Sequence, residues 1–205
     1  MRFEPNERPP ILIAAPARCG ATLVASTLYE HGVWFADSGI IKMPRKVGYY
    51  GLDNYTIARL LKQYSRTKGD RYFGYELLKL VPPHMPWGIR NGQVLIKNHL
   101  FLENFPSAIW LLPFRGMEKM VASAMNHPIL SQQGEARRRE VARNHRKLQK
   151  QIASQRPDHH LWVDMEKVGS GYLDEGRRMV EFCGISFDRA AFDRIVDPDM
   201  WHKEE

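Results

Sequence analysis

The 205-residue chain contains only two cysteines, Cys19 and Cys183. They lie far apart, and neither a CxxC pair nor a Cys/His cluster has metal-ligand spacing. A disulfide framework and a zinc module are therefore not expected. His159 and His160 are adjacent on an expected strand, so their rings point to opposite faces and do not make a metal pair. No apolar run approaches the ~20 residues of a membrane span. The opening MRFEPNERPP carries acidic residues and prolines and has no apolar core, so it does not read as a secretory signal, and a cytoplasmic protein is expected. There is no repeat and no low-complexity tract. Acidic residues are the minority, 23 against 30 Lys+Arg, giving a formal net charge of +7. That balance favours an anionic partner without choosing among nucleic acid, a membrane surface and a small phosphorylated ligand.

What is present is an ordinary globular composition, 43% hydrophobic and 26% charged. The length fits one domain over 1–205, with a leader at 1–10. Ile11–Ala15 (ILIAA) is a continuous apolar run flanked by prolines and reads as a buried parallel strand. PARCG follows as a tight loop, then ATLVASTLYEHG as a helix with a glycine stop at Gly32. Strand, small-residue loop and helix make the opening unit of an α/β nucleotide-binding fold. Gln93–Lys97, Ala108–Phe114 and His160–Met165 read as further strands. Helices are expected at Asn54–Thr67, Gly116–Asn126, Gly134–Gln155, Tyr172–Cys183 and Asp188–Ile195. Residues 37–53 and 81–92 are rich in Gly, Pro and aromatics and read as loops. The alternation predicts a single α/β domain, a parallel sheet flanked by helices, with its ligand at the carboxyl ends of the strands.

Ala15–Thr22 (APARCGAT) resembles the Walker A pattern, with Gly20 and Thr22 in register. Ala15 replaces the first Gly and Ala21 the Lys. A small-residue loop opening a helix still presents backbone N–H groups to an anion. Without the Lys, the grip on β- and γ-phosphates is missing, which disfavours an ATPase, GTPase or P-loop kinase. Arg18 supplies a planar donor fork suited to phosphate or sulfate oxygens. The competing reading is a plain strand-to-helix turn with Arg18 merely exposed.

Two further clusters sit at expected strand ends. Arg115 follows Ala108–Phe114, and Ser123 lies eight residues on, a little over two helical turns. The pair can bracket one anionic group, or cap a strand and pack quietly. Lys97 and His99 alternate by two, so in extended chain both point to one side. Such a pair offers a proton acceptor and a cation for developing negative charge, although a surface Lys and a backbone-bonded His are the plainer assignment.

These three segments, in this order, resemble those of the sulfotransferases that use PAPS (3′-phosphoadenosine 5′-phosphosulfate). PARCGAT resembles the 5′-phosphosulfate loop P-[KR]-S-G-T-T, IKNHLFLENFP the K-T-H-L-P segment with the catalytic histidine, and FRGMEKMVAS the 3′-phosphate segment. The late LWVDMEKVGSGY and FCGISFD segments are also similar. The resemblance implies a P-loop NTPase-like three-layer sandwich. It implies sulfuryl transfer from PAPS to a hydroxyl or amine, with PAP (3′-phosphoadenosine 5′-phosphate) as product and no metal. It implies His99, Lys97 and Arg18 as catalytic residues. Donor contacts would come from Arg18, Cys19, Gly20, Ala21, Thr22, Leu23, Arg115 and Ser123. The loops at 37–53 and 81–92 would lie near the acceptor, a small molecule or saccharide whose identity is open, with Trp34, Phe35, Tyr49, Tyr50, Tyr55 and Trp87 lining its pocket or simply packing loops.

The chain departs from the family pattern in several places. Cys19 and Ala21 replace hydroxyl residues, and Leu23 stands where a Trp often stacks on adenine. Asn98 and Phe101 replace Thr and Pro, and no C-terminal R-K-G segment is evident, for which Arg137–Arg139 are a candidate substitute. Two alternatives stay open: a protein that binds PAP or PAPS without turnover, and a nucleic-acid binder using the basic helix 135–150.

Overall fold

A computed structural model describes residues 6–35, 41–42, 50–51, 55–64 and 72–198. In chain order the elements are β1 (Ile11–Ile13), α1 (Ala21–Glu30), β2 (Ile41–Lys42), β3 (Tyr50–Gly51), α2 (Tyr55–Tyr64), α3 (Phe73–Leu78), β4 (Gly88–Arg90), α4 (Gly92–Ile96), α5 (Asn98–Asn104), β5 (Ile109–Phe114), α6 (Met117–Met125), α7 (Glu135–Gln155), β6 (His160–Asp164), α8 (Met165–Gly169), α9 (Leu173–Phe182) and α10 (Arg189–Ile195). The protein is α/β: β4, β1, β5 and β6 form, in that order, a four-stranded sheet in which every pairing is parallel. β2 and β3 pair separately and antiparallel.

Alternation along the strands feeds a core on each face. Ile11, Ile13, Leu111 and Val163 pack with Leu23, Val24 and Leu28 of α1, with Met179 and Val180 of α9 and with Phe192 of α10. Leu12, Trp110 and Leu112 point the other way, onto Phe73, Leu77, Val94, Leu100, Phe101 and Ile152 from α3, α4, α5 and α7. Helices therefore cover both faces, as buried parallel strands require.

Two expectations need correction. Gln93–Lys97 is not a strand: Gly92–Ile96 is helical, opened by the Asn91 side chain accepting the Gln93 N–H at 2.9 Å. A short apolar run carries no periodicity that separates strand from buried helix, and the asparagine cap was the available signal. The strand lies earlier, inside the segment read as a loop, where Gly88–Arg90 pairs with β1. The helix Phe73–Leu78 was also not foreseen. Much of 37–53 lies outside the described residues.

Pro113 lies inside β5, where its missing N–H has a consequence. Ile109 N–H bonds Pro10 O and Ala14 N–H bonds Leu111 O, so the next donor in the ladder is the N–H of residue 113, facing Ala14 O. Proline has none. Gln149, fully buried on α7, supplies it instead: its Nε2 donates to Ala14 O at 2.8 Å and to Pro113 O at 2.9 Å. The β1–β5 ladder is thus replaced by a side chain at the carboxyl edge, where the loop departs.

Candidate functional site

The loop between β1 and α1 sits at that edge. Two of its residues have positive φ, Arg18 at 64° and Gly20 at 85°. The positive φ strains any residue with a Cβ at Gly20, and such a Cβ would come within 2.6 Å of Met165 Cε at the start of α8, so that side chain would have to move. A left-handed arginine costs about 1–3 kcal/mol, and such strain collects at functional loops. Its side chain is held across the loop, with Nε donating to Ser123 Oγ of α6 at 3.0 Å. No side chain caps α1 and no acid occupies its first turn, so the helix start presents positive potential unopposed by its own residues.

A second cation reaches the same place. Arg90, the last residue of β4, donates from Nη2 to Thr22 Oγ1 at 2.8 Å. Sequence reasoning missed it because the three-residue strand beneath it carries no periodic signal. The strand beside β1 thus delivers Arg90 to the carboxyl edge, the position expected for Lys97 and His99.

Those two do not share an extended strand. Lys97 is the junction between α4 and α5, and its Nζ donates to Leu61 O of α2 at 2.7 Å. Burial lowers its pKa from the usual lysine value. His99 stands exposed on the first turn of α5.

The residues expected to contact the donor fall into two groups. Arg18, Gly20, Ala21 and Thr22 are partly accessible at the loop and the start of α1. Leu23, on α1, is 2% exposed in the core and cannot stack on a base at the surface. Cys19 turns inward as well: its Sγ donates to Pro113 O at 3.1 Å, and burial pushes the thiol up to about 12. The Cys19 side chain therefore serves the strand end and not the loop mouth.

Arg115 and Ser123 are both buried but bonded to different partners. Ser123 accepts from Arg18, while Arg115 Nε donates to Glu166 Oε1 at 2.9 Å. Lys119 Nζ donates to Glu166 Oε2, also at 2.9 Å. Burial alone would push the Glu166 carboxyl up, but the bonds from Lys119 and Arg115 reverse this and hold it below the ordinary carboxylate value. Glu166 is thus a counter-ion that the sequence reading did not weigh.

The basic helix is largely committed to internal bonds. Arg137 pairs with Glu140, Arg139 with Glu118 and Glu135, and Arg138 Nε donates to Leu130 O. Arg146 lies over the Phe114 and Trp162 rings, 5.5 and 5.3 Å from their centroids. Arg143, Lys147 and Lys150 remain exposed. Among the aromatics, Phe35 and Trp87 are core, and Trp87 Nε1 donates to Arg8 O. Trp34 is half-buried, its strand bridge to Trp87 continuing the β4 edge. Tyr49 lies outside the described residues, as do the side chains of Tyr50 and Tyr55.

Among the described residues no three His, Cys, Asp or Glu side chains could hold a metal ion, and no helix is long and apolar enough to cross a membrane. No protein-family model matches the chain, and no curated protein matches it in sequence.

Proposed function

We propose that the protein is a P-loop-like sulfotransferase that takes PAPS as donor and releases PAP. The observation that carries this reading is the convergence of Arg90 and Arg18 on a lysine-less loop that opens an uncapped helix. Two guanidinium groups, the Thr22 hydroxyl and the first-turn N–H groups suit the tetrahedral, multiply charged oxygens of a phosphosulfate. In this reading Arg90 takes over the charge that Walker loops assign to lysine. The arginines neutralise the departing 5′-phosphate, and most of the rate comes from positioning and fixed charge.

His99 is proposed as the base that takes the acceptor proton. Its support is the segment resemblance and its exposure on α5. The 3′-phosphate is assigned to Arg115 and Ser123, which requires it to compete with Glu166 for Arg115.

A second reading is donor binding without turnover. It is favoured by Lys97, whose ammonium is engaged by a backbone carbonyl of α2.

Calorimetric titration with PAP, using ADP and AMP as controls and no metal, tests the first step. Micromolar PAP binding with much weaker AMP binding is expected, and PAPS turnover on an acceptor panel then separates the two readings. His99→Ala is expected to abolish turnover and leave PAP affinity unchanged. Absence of any PAP preference defeats both readings.

A further inference from the structure

In a parallel ladder, one residue bonds to both neighbours of the residue it faces: its N–H goes to the carbonyl before that residue, and its carbonyl takes the N–H after it. The β1–β5 ladder shows both halves. Ile109, opposite Ile11, donates to Pro10 O, and Leu111, opposite Ile13, accepts from Ala14 N–H. The same rule fixes which groups of β6 face outward. Trp110, opposite His160, donates to His159 O, so the odd-numbered residues of β6 turn their N–H and carbonyl toward β5. His160, Trp162 and Asp164 turn theirs away from it. Among the described residues β6 is the last strand of the sheet.

At the opposite edge a single residue closes β4. Trp34 N–H donates to Pro86 O at 2.8 Å and Trp34 O accepts the Gly88 N–H at 2.8 Å, one parallel bridge opposite Trp87. β6 carries the same two bonds opposite Val163, but side chains make them. Arg178 Nη2 donates to Trp162 O at 2.7 Å, and Glu175 Oε1 accepts the Asp164 N–H at 2.9 Å. The two side chains are three residues apart on α9 and hold each other, Nη2 to Oε1 at 2.6 Å and Nε to Oε2 at 3.1 Å. Together they imitate one residue of a neighbouring strand, the guanidinium standing for its N–H and the carboxylate for its carbonyl. Glu175 is buried and the Arg178 side chain is half-exposed, so the sheet ends in a charge that faces water.

We propose that the Glu175–Arg178 pair is a clasp that closes the β6 edge against a second copy of this chain. Without it, Leu161–Val163 (LWV) is an apolar, β-prone edge whose outward groups are a template for another strand. A copy related by a twofold axis brings β6 against β6 in the antiparallel sense, using the outward groups of His160, Trp162 and Asp164. The clasp already occupies Trp162 O and the Asp164 N–H and sets a cation across the approach. The inference does not depend on the nucleotide reading, since it uses none of the residues assigned to the donor.

The test is sedimentation velocity on the full chain and its variants over a range of concentrations, with hydrogen exchange of the Trp162 amide followed by NMR. Arg178→Met is expected to shift from monomer to dimer as concentration rises. Its Trp162 amide is expected to exchange about tenfold more slowly, or slower still, over the same range, and the wild-type amide to show no such dependence. Arg178→Lys keeps a cation and a donor at the edge and is expected to stay monomeric. Because Arg178→Met also leaves the Glu175 carboxylate buried without its partner, a second variant separates edge pairing from instability. His160→Pro removes an outward N–H and no β5–β6 bond, and proline is tolerated at the first residue of an edge strand. Added to Arg178→Met, it is expected to return the chain to monomer with no gain in urea midpoint. The proposal is overturned if Arg178→Met stays monomeric, if its Trp162 amide exchanges no more slowly on association, if Arg178→Lys associates as readily, or if His160→Pro leaves the association unchanged.

Discussion

At the scale of single residues, the loop mouth is defined by which side chains turn outward. Arg18 and Thr22 are accessible, and Arg90 joins them from the neighbouring strand. A charge-assisted bond to phosphate is worth more than a neutral one, so Arg90→Ala is expected to weaken PAP binding about tenfold or more in calorimetry. Glu166 poses the opposite question. It pairs with Arg115 and Lys119 together, and Glu166→Gln removes that negative charge from beside both cations. PAP affinity is expected to rise roughly three- to tenfold in that variant if Arg115 holds the 3′-phosphate. An unchanged affinity removes Arg115 from the nucleotide site.

At the scale of elements, the carboxyl edge depends on one glutamine from a helix that the sequence marks only as basic. Gln149 answers the Ala14 carbonyl that Pro113 leaves without a ladder partner, and shares the Pro113 carbonyl with Cys19. Gln149→Leu keeps the volume and orphans a buried carbonyl at the root of the loop. A loss of about 2 kcal/mol in urea unfolding is expected. The same element explains why the basic stretch is a weak case for nucleic acid: Arg137 and Arg139 have acidic partners, and Arg138 and Arg146 are turned into the fold.

At the scale of the whole molecule, the C-terminal half is tied by carboxylates in ways that predict its response to acid. Glu175, 7% exposed on α9, accepts the Asp164 N–H at the end of β6 at 2.9 Å, and Arg178 pairs with it. Burial pushes its carboxyl up, but the Arg178 and Asp164 bonds outweigh that, and its pKa falls below the ordinary 4.5. A depressed folded-state pKa stabilises the fold above the unfolded value, and that contribution is lost as pH falls through the folded value. Glu166 acts in the same direction. The urea midpoint is therefore expected to hold from neutrality to about pH 5 and to fall below the ordinary carboxylate value. Glu175→Gln should lower the midpoint at pH 7 and flatten the acid limb.

The sequence by itself determined the α/β class, the parallel sheet and the position of the loop. Ile11–Ala15, Ala108–Phe114 and His160–Met165 are short runs rich in apolar residues that alternate along the chain with helical stretches ending at stops, and that alternation reads as a parallel sheet. Arg18, Gly20 and Thr22 were also legible as candidates, because a resemblance to phosphate loops is written in consecutive residues. What lay beyond it depends on contacts between distant segments. Only the tertiary structure decided that Gly88–Arg90, not Gln93–Lys97, flanks β1, and so which cation reaches the loop. Only packing decided that Cys19 and Leu23 turn inward while Thr22 faces Arg90. Glu166 and Gln149 carry no local signal, since an ion pair to Arg115 or a bond to an orphaned carbonyl exists only once separate elements have met.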